Sequence, residues 1–248
     1  MKITIHHNYE YLLGDVKDII EGNYVAKKVF CHNRNVVERV DIQGSSYVVK
    51  RYKEPNWLNR VVYTWLRKSK ARRAYEYALR LLDEGVETPA PVAYIEIKRG
   101  RLFSVGYFIS EYLPYNLLKD APALLAGEDA RRLTRDFLDF TASLHSKGIL
   151  PGDFNGSNIF YRYDEESGCY RFALTDVNRM RFGKVPTTSE AMRSFEQLGV
   201  PLEGLYMFAN NYCSRQESDV EYTIFIYLLH RMRSRVKSAF KRRLKART

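Results

Sequence analysis

Residues 151–160 read PGDFNGSNIF. Asp, Gly, Asn and Ser crowd its first eight positions and favour a loop, whereas Ile159-Phe160 opens a β-prone run. Asp153 and Asn158 are separated by four residues, the D-x-x-x-x-N spacing of a kinase catalytic loop. In such a loop the aspartate accepts a hydroxyl proton and the asparagine holds a metal ion. Eighteen residues further on, Ala173-Leu174-Thr175-Asp176 places an acid at the end of an apolar strand, where a metal-binding aspartate belongs.

Working upstream, Tyr47-Val48-Val49-Lys50 puts a lysine at the end of an apolar strand, analogous to V-A-I-K. Such a lysine contacts the α- and β-phosphates of ATP. Glu76, early on the next helix, is the expected partner of Lys50. The run from Tyr107 into Glu111-Tyr112-Leu113-Pro114 occupies the place of an interlobe hinge, where backbone groups of Glu111 and Leu113 would meet adenine. No G-x-G-x-x-G covers the phosphates. Cys31 to Asn35 fills that turn, leaving Asn33, Arg34 and backbone amides to serve. Singly, each feature has a plainer reading as a strand end, a surface helix acid or a turn former. Order and spacing separate the readings, because five parts occur in the succession that a kinase requires.

Residue patterning agrees. Tyr24–Phe30, Val36–Ile42 and Ser46–Tyr52 are short β-branched and aromatic runs, with a turn at Gln43-Gly44. Ala74, Ala78, Leu81 and Leu82 mark a helix stopped by Gly85. Two further strands, Val92–Ile97 and Leu102–Glu111, precede a helical half. There Asp129–Lys147 is a helix closed by Gly148, and Ile159–Tyr163 and Tyr170–Thr175 form a hairpin. Thr187 and Glu190 have capping-box spacing. A helix over about Leu202–Tyr212 and a last one opening near Ser214–Glu217 complete the chain. The expected architecture is α+β and bilobal, protein-kinase-like, with a strand-rich N-lobe (1–110), a hinge (111–116) and a mainly helical C-lobe (117–248).

The chain resembles the lipopolysaccharide core kinases, the Kdo and heptose kinases and InaA-like proteins of the protein-kinase-like superfamily. The resemblance is carried by YVVKRY (47–52), RRAYEYALRLLDEGVETPAPVAYIE (72–96), LHSKGILPGDFNGSNIF (144–160) and ALTDVNRMRF (173–182). It implies ATP- and Mg2+-dependent phosphorylation of a Kdo or heptose hydroxyl on lipid A–core, at the cytoplasmic face of the inner membrane. Asp153 and Lys50 would be catalytic, and Asn158 and Asp176 would hold the metal. The chain departs from the superfamily pattern at Pro151, where the motif has histidine, and at Val177-Asn178, where it has Phe-Gly. Those departures define one rival reading, a pseudokinase serving as a membrane-associated binding module. A protein kinase is the other, although no A-P-E motif follows Asp176.

The net charge of +11 is concentrated at one end. Nine cations and no acids lie between His230 and Thr248; without those nine, 31 basic residues face 29 acidic ones. Met232, Val236, Phe240 and Leu244 recur every four residues through this tail, which reads as a basic amphipathic helix on an anionic membrane. Aromatics for base stacking are lacking apart from Phe240, so no nucleic acid is expected. Trp57, Tyr63 and Trp65 beside RKSKARR (67–73) form a second interfacial candidate, with burial of those aromatics under the small lobe as the competing reading. Cys31, Cys169 and Cys213 are scattered without metal-ligand or disulfide spacing. The N-terminus lacks a secretion signal, and the chain reads as cytoplasmic and peripheral at the inner membrane.

Overall fold

A computed structural model describes residues 1–32, 35–199, 202, 205–216 and 218–245. The chain divides into two compact units, Met1–Pro114 with Leu174–Asn178, and Tyr115–Ala173 with Arg179–Thr248.

The first unit is built on a six-stranded antiparallel sheet. Its elements are β1 (Lys2–Ile5), α1 (Leu13–Glu21), β2 (Lys28–His32), β3 (Asn35–Ile42), β4 (Ser45–Tyr52), α2 (Trp57–Val61), α3 (Lys70–Asp83), β5 (Pro91–Arg99) and β6 (Leu102–Glu111). Strand order is β1-β5-β6-β4-β3-β2. Strand alternation sends β4 side chains to opposite faces. Tyr47 and Val49 join Leu12, Val16 and Ile19 in a buried cluster under α1. Val48, Lys50 and Tyr52 face the other way, where Tyr52 packs with Ala71 and Tyr75 of α3. The β3–β4 turn takes Gln43 and Gly44 to φ of 50° and 81°, the left-handed pair that a two-residue hairpin needs. Neither β1 nor α1 is signalled by the sequence pattern. Strand β2 starts at Lys28 rather than Tyr24, whose hydroxyl turns aside to Glu38 Oε2 at 2.5 Å.

The second unit contains β7 (Asn116–Leu117), α4 (Ala121–Leu124), α5 (Gly127–Ser146), β8 (Ile159–Asp164), β9 (Cys169–Leu174), α6 (Thr188–Leu198), α7 (Leu205–Gln216) and α8 (Val220–Lys245), with β7, β8 and β9 adjacent in one small sheet. Its core is aromatic: Phe137 of α5 packs on Phe154 and Phe172, and Phe195 of α6 meets Phe208 and Tyr212 of α7 edge-on. Thr187 and Glu190 form the expected capping box. The last helix departs from expectation. Ser214 lies inside α7, donating to Asn211 O, Glu217 lies outside the described residues, and Asp219 caps α8 by accepting from Tyr222 N at 2.6 Å. An Asp three residues before a helical N–H is an equally good cap, so the pattern alone does not choose between them.

Candidate active site

In the first unit, Lys50 Nζ lies 2.7 Å from Asp176 Oδ1, with only 15% and 29% of the two side chains exposed. The segment carrying Asp176 is fastened to the end of α3's connector: Leu174 N donates to Glu87 O at 2.9 Å, and Thr88 Oγ1 donates to Leu174 O at 2.6 Å. Asp176 itself sits at φ 52°, a left-handed conformation that aspartate tolerates better than most residues. Asn178 Nδ2 donates to the same Oδ1 that binds Lys50. The Val-Asn that replaces Phe-Gly therefore has a physical account. Val177 is buried as an apolar plug, and Asn178, also buried, orients the carboxylate.

A cavity of about 70 Å³ opens beside this pair, lined by Val37, Val48, Lys50, Phe108, Asp176 and their neighbours. It is smaller than a typical small-molecule pocket. Tyr52 is buried here with its hydroxyl unpaired. Burial and the neighbouring Asp176 charge push its ionisation far up, against the Arg73 charge, so the hydroxyl stays protonated. Arg73 is buried as well, and burial, with Arg67 nearby, lowers its pKa.

Glu76 corrects the expectation from spacing. It binds Lys68 Nζ at 2.7 Å and Arg72 Nε at 2.8 Å rather than Lys50. An i,i+4 arginine on the same helix and a lysine just before the N-cap reach it first, and Asp176 satisfies Lys50 instead. Exchanging either member of the Lys50–Asp176 pair leaves a mostly buried charge alone. Lys50→Met and Asp176→Asn are each expected to cost about 2 kcal/mol of stability, and the double variant less than their sum, with a coupling of about 1–2 kcal/mol. Urea unfolding of the four proteins measures it; strict additivity would show that the two side chains do not sense one another.

At the end of β6, Glu111 N donates to Ala90 O at 2.9 Å and Tyr112 N to Ser46 O at 3.0 Å. Tyr9 Oη holds the Glu111 carboxylate at 2.8 Å. Those two amides are thus engaged within the unit, and Leu113 is the expected hinge position whose N–H has no intramolecular acceptor among the described residues. Asn33 and Arg34 lie outside the described residues; the flanking strands pair Cys31 with Val37 and His32 with Val36.

In the second unit, the 151–158 loop is braced from within. Asn155 Nδ2 donates to Asp153 Oδ1 at 2.8 Å, Asn158 Nδ2 to Asp153 O at 3.0 Å, and Ser157 N to Asn155 Oδ1 at 2.9 Å. Phe154 is driven into the aromatic core, while its N–H donates to Gln197 Oε1 at 2.8 Å. Asp153 and Asn158 therefore share one tight loop, with the Asp153 carboxylate half-exposed and Arg179 Nη1 3.9 Å from its Oδ2. Gly152 is required by packing: a Cβ there would lie 2.4 Å from Arg179 O. Asn155, Arg179 and Gln197 escape sequence reading. Asn155 looks like one more turn former, and the other two reach the loop only through the fold.

A strand-rich unit carrying a lysine–aspartate pair and a helical unit carrying a D-x-x-x-x-N loop are the two halves of the protein-kinase-like fold, as the sequence pattern leads one to expect. Among solved structures, that of WaaP in complex with acyl carrier protein matches 95% of this chain and 98% of its own, with a TM-score of 0.64 at 16% identity. Two WbdD structures match more loosely. The bifunctional kinase-methyltransferase gives a TM-score of 0.45 at 14% identity over 95% of this chain, and WbdD with kinase inhibitor LY294002 gives 0.46 at 16% over 83%. This chain spans 46% and 45% of those two longer chains. No protein-family model and no curated protein matches the sequence.

Proposed function

We propose that the chain is an ATP-dependent kinase that phosphorylates a sugar hydroxyl, Kdo or heptose, of the lipopolysaccharide inner core. The observation that carries this reading is the Lys50–Asp176 pair over its small cavity, in a fold whose other unit holds the braced Asp153 loop. The acceptor oxygen attacks the γ-phosphorus as the bond from that phosphorus to the β–γ bridging oxygen breaks, and ADP departs. Asp153 receives the acceptor's proton, and Lys50 leaves Asp176 to neutralise the α- and β-phosphates. Asn155 and Asn158 keep Asp153 aimed while this happens.

Magnesium fits the donor set of hard oxygens. Asp176 keeps Oδ2 without an intramolecular partner among the described residues, and Asn158 keeps its amide oxygen. These two residues would hold the ion, which would neutralise phosphate charge. Among the described residues no cluster of three or more His, Cys, Asp or Glu offers another metal site.

Membrane attachment through α8 belongs to the same proposal. No described helix is long and apolar enough to cross a membrane. Met232, Val236 and Phe240 are nonetheless 65%, 69% and 63% exposed. An apolar stripe left in solvent and flanked by cations suits an anionic bilayer surface at the cytoplasmic face of the inner membrane.

The test is Mg2+-dependent ATP consumption with and without purified lipid A–core, followed by locating the new phosphate on the saccharide. Acceptor-dependent turnover is expected. Nucleotide binding with no turnover on this acceptor would overturn the reading in favour of a pseudokinase.

A further inference from the structure

The connection from α2 to α3 carries an unusual surface. Trp57, Leu58, Trp65 and Leu66 are 69%, 56%, 66% and 79% exposed, although all four lie in helical or π-helical turns. The segment is anchored rather than loose. Arg60 Nε donates to Phe103 O at 2.9 Å, Thr64 Oγ1 donates to Arg60 O at 2.7 Å and accepts from Phe103 N at 2.9 Å, and Tyr63 packs edge-on against Phe103. A π turn (Val62–Leu66) ends this helical segment, and Arg67 leaves it in an extended conformation. Beside Trp65 lies a cavity of about 570 Å³, within the size range of small-molecule sites.

Five cations line that cavity: Lys2, Arg67, Lys68, Arg72 and Lys98. Glu76 engages Lys68 and Arg72. Arg67 and Lys98, both exposed, have no carboxylate within ion-pair distance among the described residues, and Glu96 is the lone acid in the lining. The cavity therefore suits a phosphate-sized anion, and its rim suits an apolar medium.

We propose that this turn is a second membrane-docking element, in which Trp57, Leu58, Trp65 and Leu66 enter the headgroup region while the adjoining basic cavity takes the phosphate of an anionic lipid. Tryptophan, with a large apolar body and one N–H, is the side chain most at home in that region. Single-stranded nucleic acid also combines cations with aromatics. It gains little from the exposed aliphatic Leu58 and Leu66, whereas a bilayer gains from both. This proposal stands independently of the kinase reading and of α8.

Trp57 and Trp65 are the chain's two tryptophans, so tryptophan emission reports this turn and is silent about α8. The full chain is titrated with phosphatidylcholine vesicles, with and without phosphatidylglycerol. A blue shift, with quenching by brominated acyl chains, is expected on the anionic vesicles alone. A variant with Met232→Ser, Val236→Ser and Phe240→Ser on α8 should keep the shift. Arg67→Ala combined with Lys98→Ala, both at exposed positions, should lower vesicle partitioning roughly 30-fold, each cation near such a surface contributing about 1 kcal/mol. Co-sedimentation with anionic vesicles and unchanged tryptophan emission would overturn the proposal in favour of α8 alone. A shift with oligonucleotide but none with vesicles would overturn it in favour of nucleic acid.

Discussion

Asp153→Asn is expected to slow phosphoryl transfer by about 10²–10⁴-fold, the range for loss of a general base, with nucleotide affinity within about twofold of wild type. The substitution is close to isosteric, and of the loop's braces only the Asn155 bond uses the Asp153 carboxylate, where an asparagine Oδ1 can still accept it. Asn158 grips the Asp153 backbone oxygen, and Phe154 stays anchored in the aromatic core with its N–H on Gln197. What disappears is the proposed acceptor for the hydroxyl proton and the charge that faces Arg179. Initial rates on lipid A–core, with nucleotide affinity from calorimetry, separate the two effects. Turnover within a few-fold of wild type would remove Asp153 from the mechanism. Loss of rate and nucleotide binding together would indicate a collapsed loop instead.

The other large effect concerns stability. His145 is buried at the end of α5, with Nδ1 2.6 Å from Tyr212 Oη and Nε2 without a partner. Burial lowers its pKa from 6.5 to about 4. Between those values the unfolded chain takes up a proton that the native state refuses, so stability is greatest above pH 6.5 and falls as the pH drops. The loss is about 2 kcal/mol from pH 7 to pH 5 and about 3 kcal/mol by pH 4, where it levels off. His230, whose pKa burial also lowers, adds to the wild-type slope with the same sign. Glu190, which Arg181 holds at about 2, contributes its own loss at lower pH, as its carboxyl protonates in the unfolded chain. Urea midpoints at pH 7 and pH 5 for wild type and His145→Gln isolate the residue. The variant should lose about 2 kcal/mol less over that interval; equal slopes would show that His145 titrates normally in the folded protein.

The placement of the site elements was legible because local chemistry dictates it. Tyr47–Lys50 can hardly be other than a strand ending in lysine, and the Asp153–Asn158 run is too rich in turn formers to be regular structure. Asp176 likewise follows an apolar β-prone run. In each case the residues that define the element lie within a few positions of one another. The last helix shows the limit. Ser214–Glu217 and Asp219–Tyr222 both satisfy local capping rules, and only packing of the preceding helix shows which is used. Strand β1 escapes local patterning for a related reason: Lys2–Ile5 is four residues long, and it becomes a strand by pairing with Ala93–Glu96 of β5.

Partner choice among charges lay beyond the sequence. Spacing offered Glu76 as the partner of Lys50; the fold gave it Asp176, 126 positions on, while Glu76 closed on neighbours four and eight residues away. The sequence by itself determined the kinds of element, their order, and where Lys50, Asp153 and Asp176 sit on them, because propensity and spacing are properties of nearby residues. Only the tertiary structure decided which carboxylate answers which cation, that Asn155 and Gln197 hold the loop, and that Trp57, Trp65, Met232, Val236 and Phe240 stand in solvent. Hydrogen bonds, ion pairs and burial depend on distances through space, which chain separation does not encode.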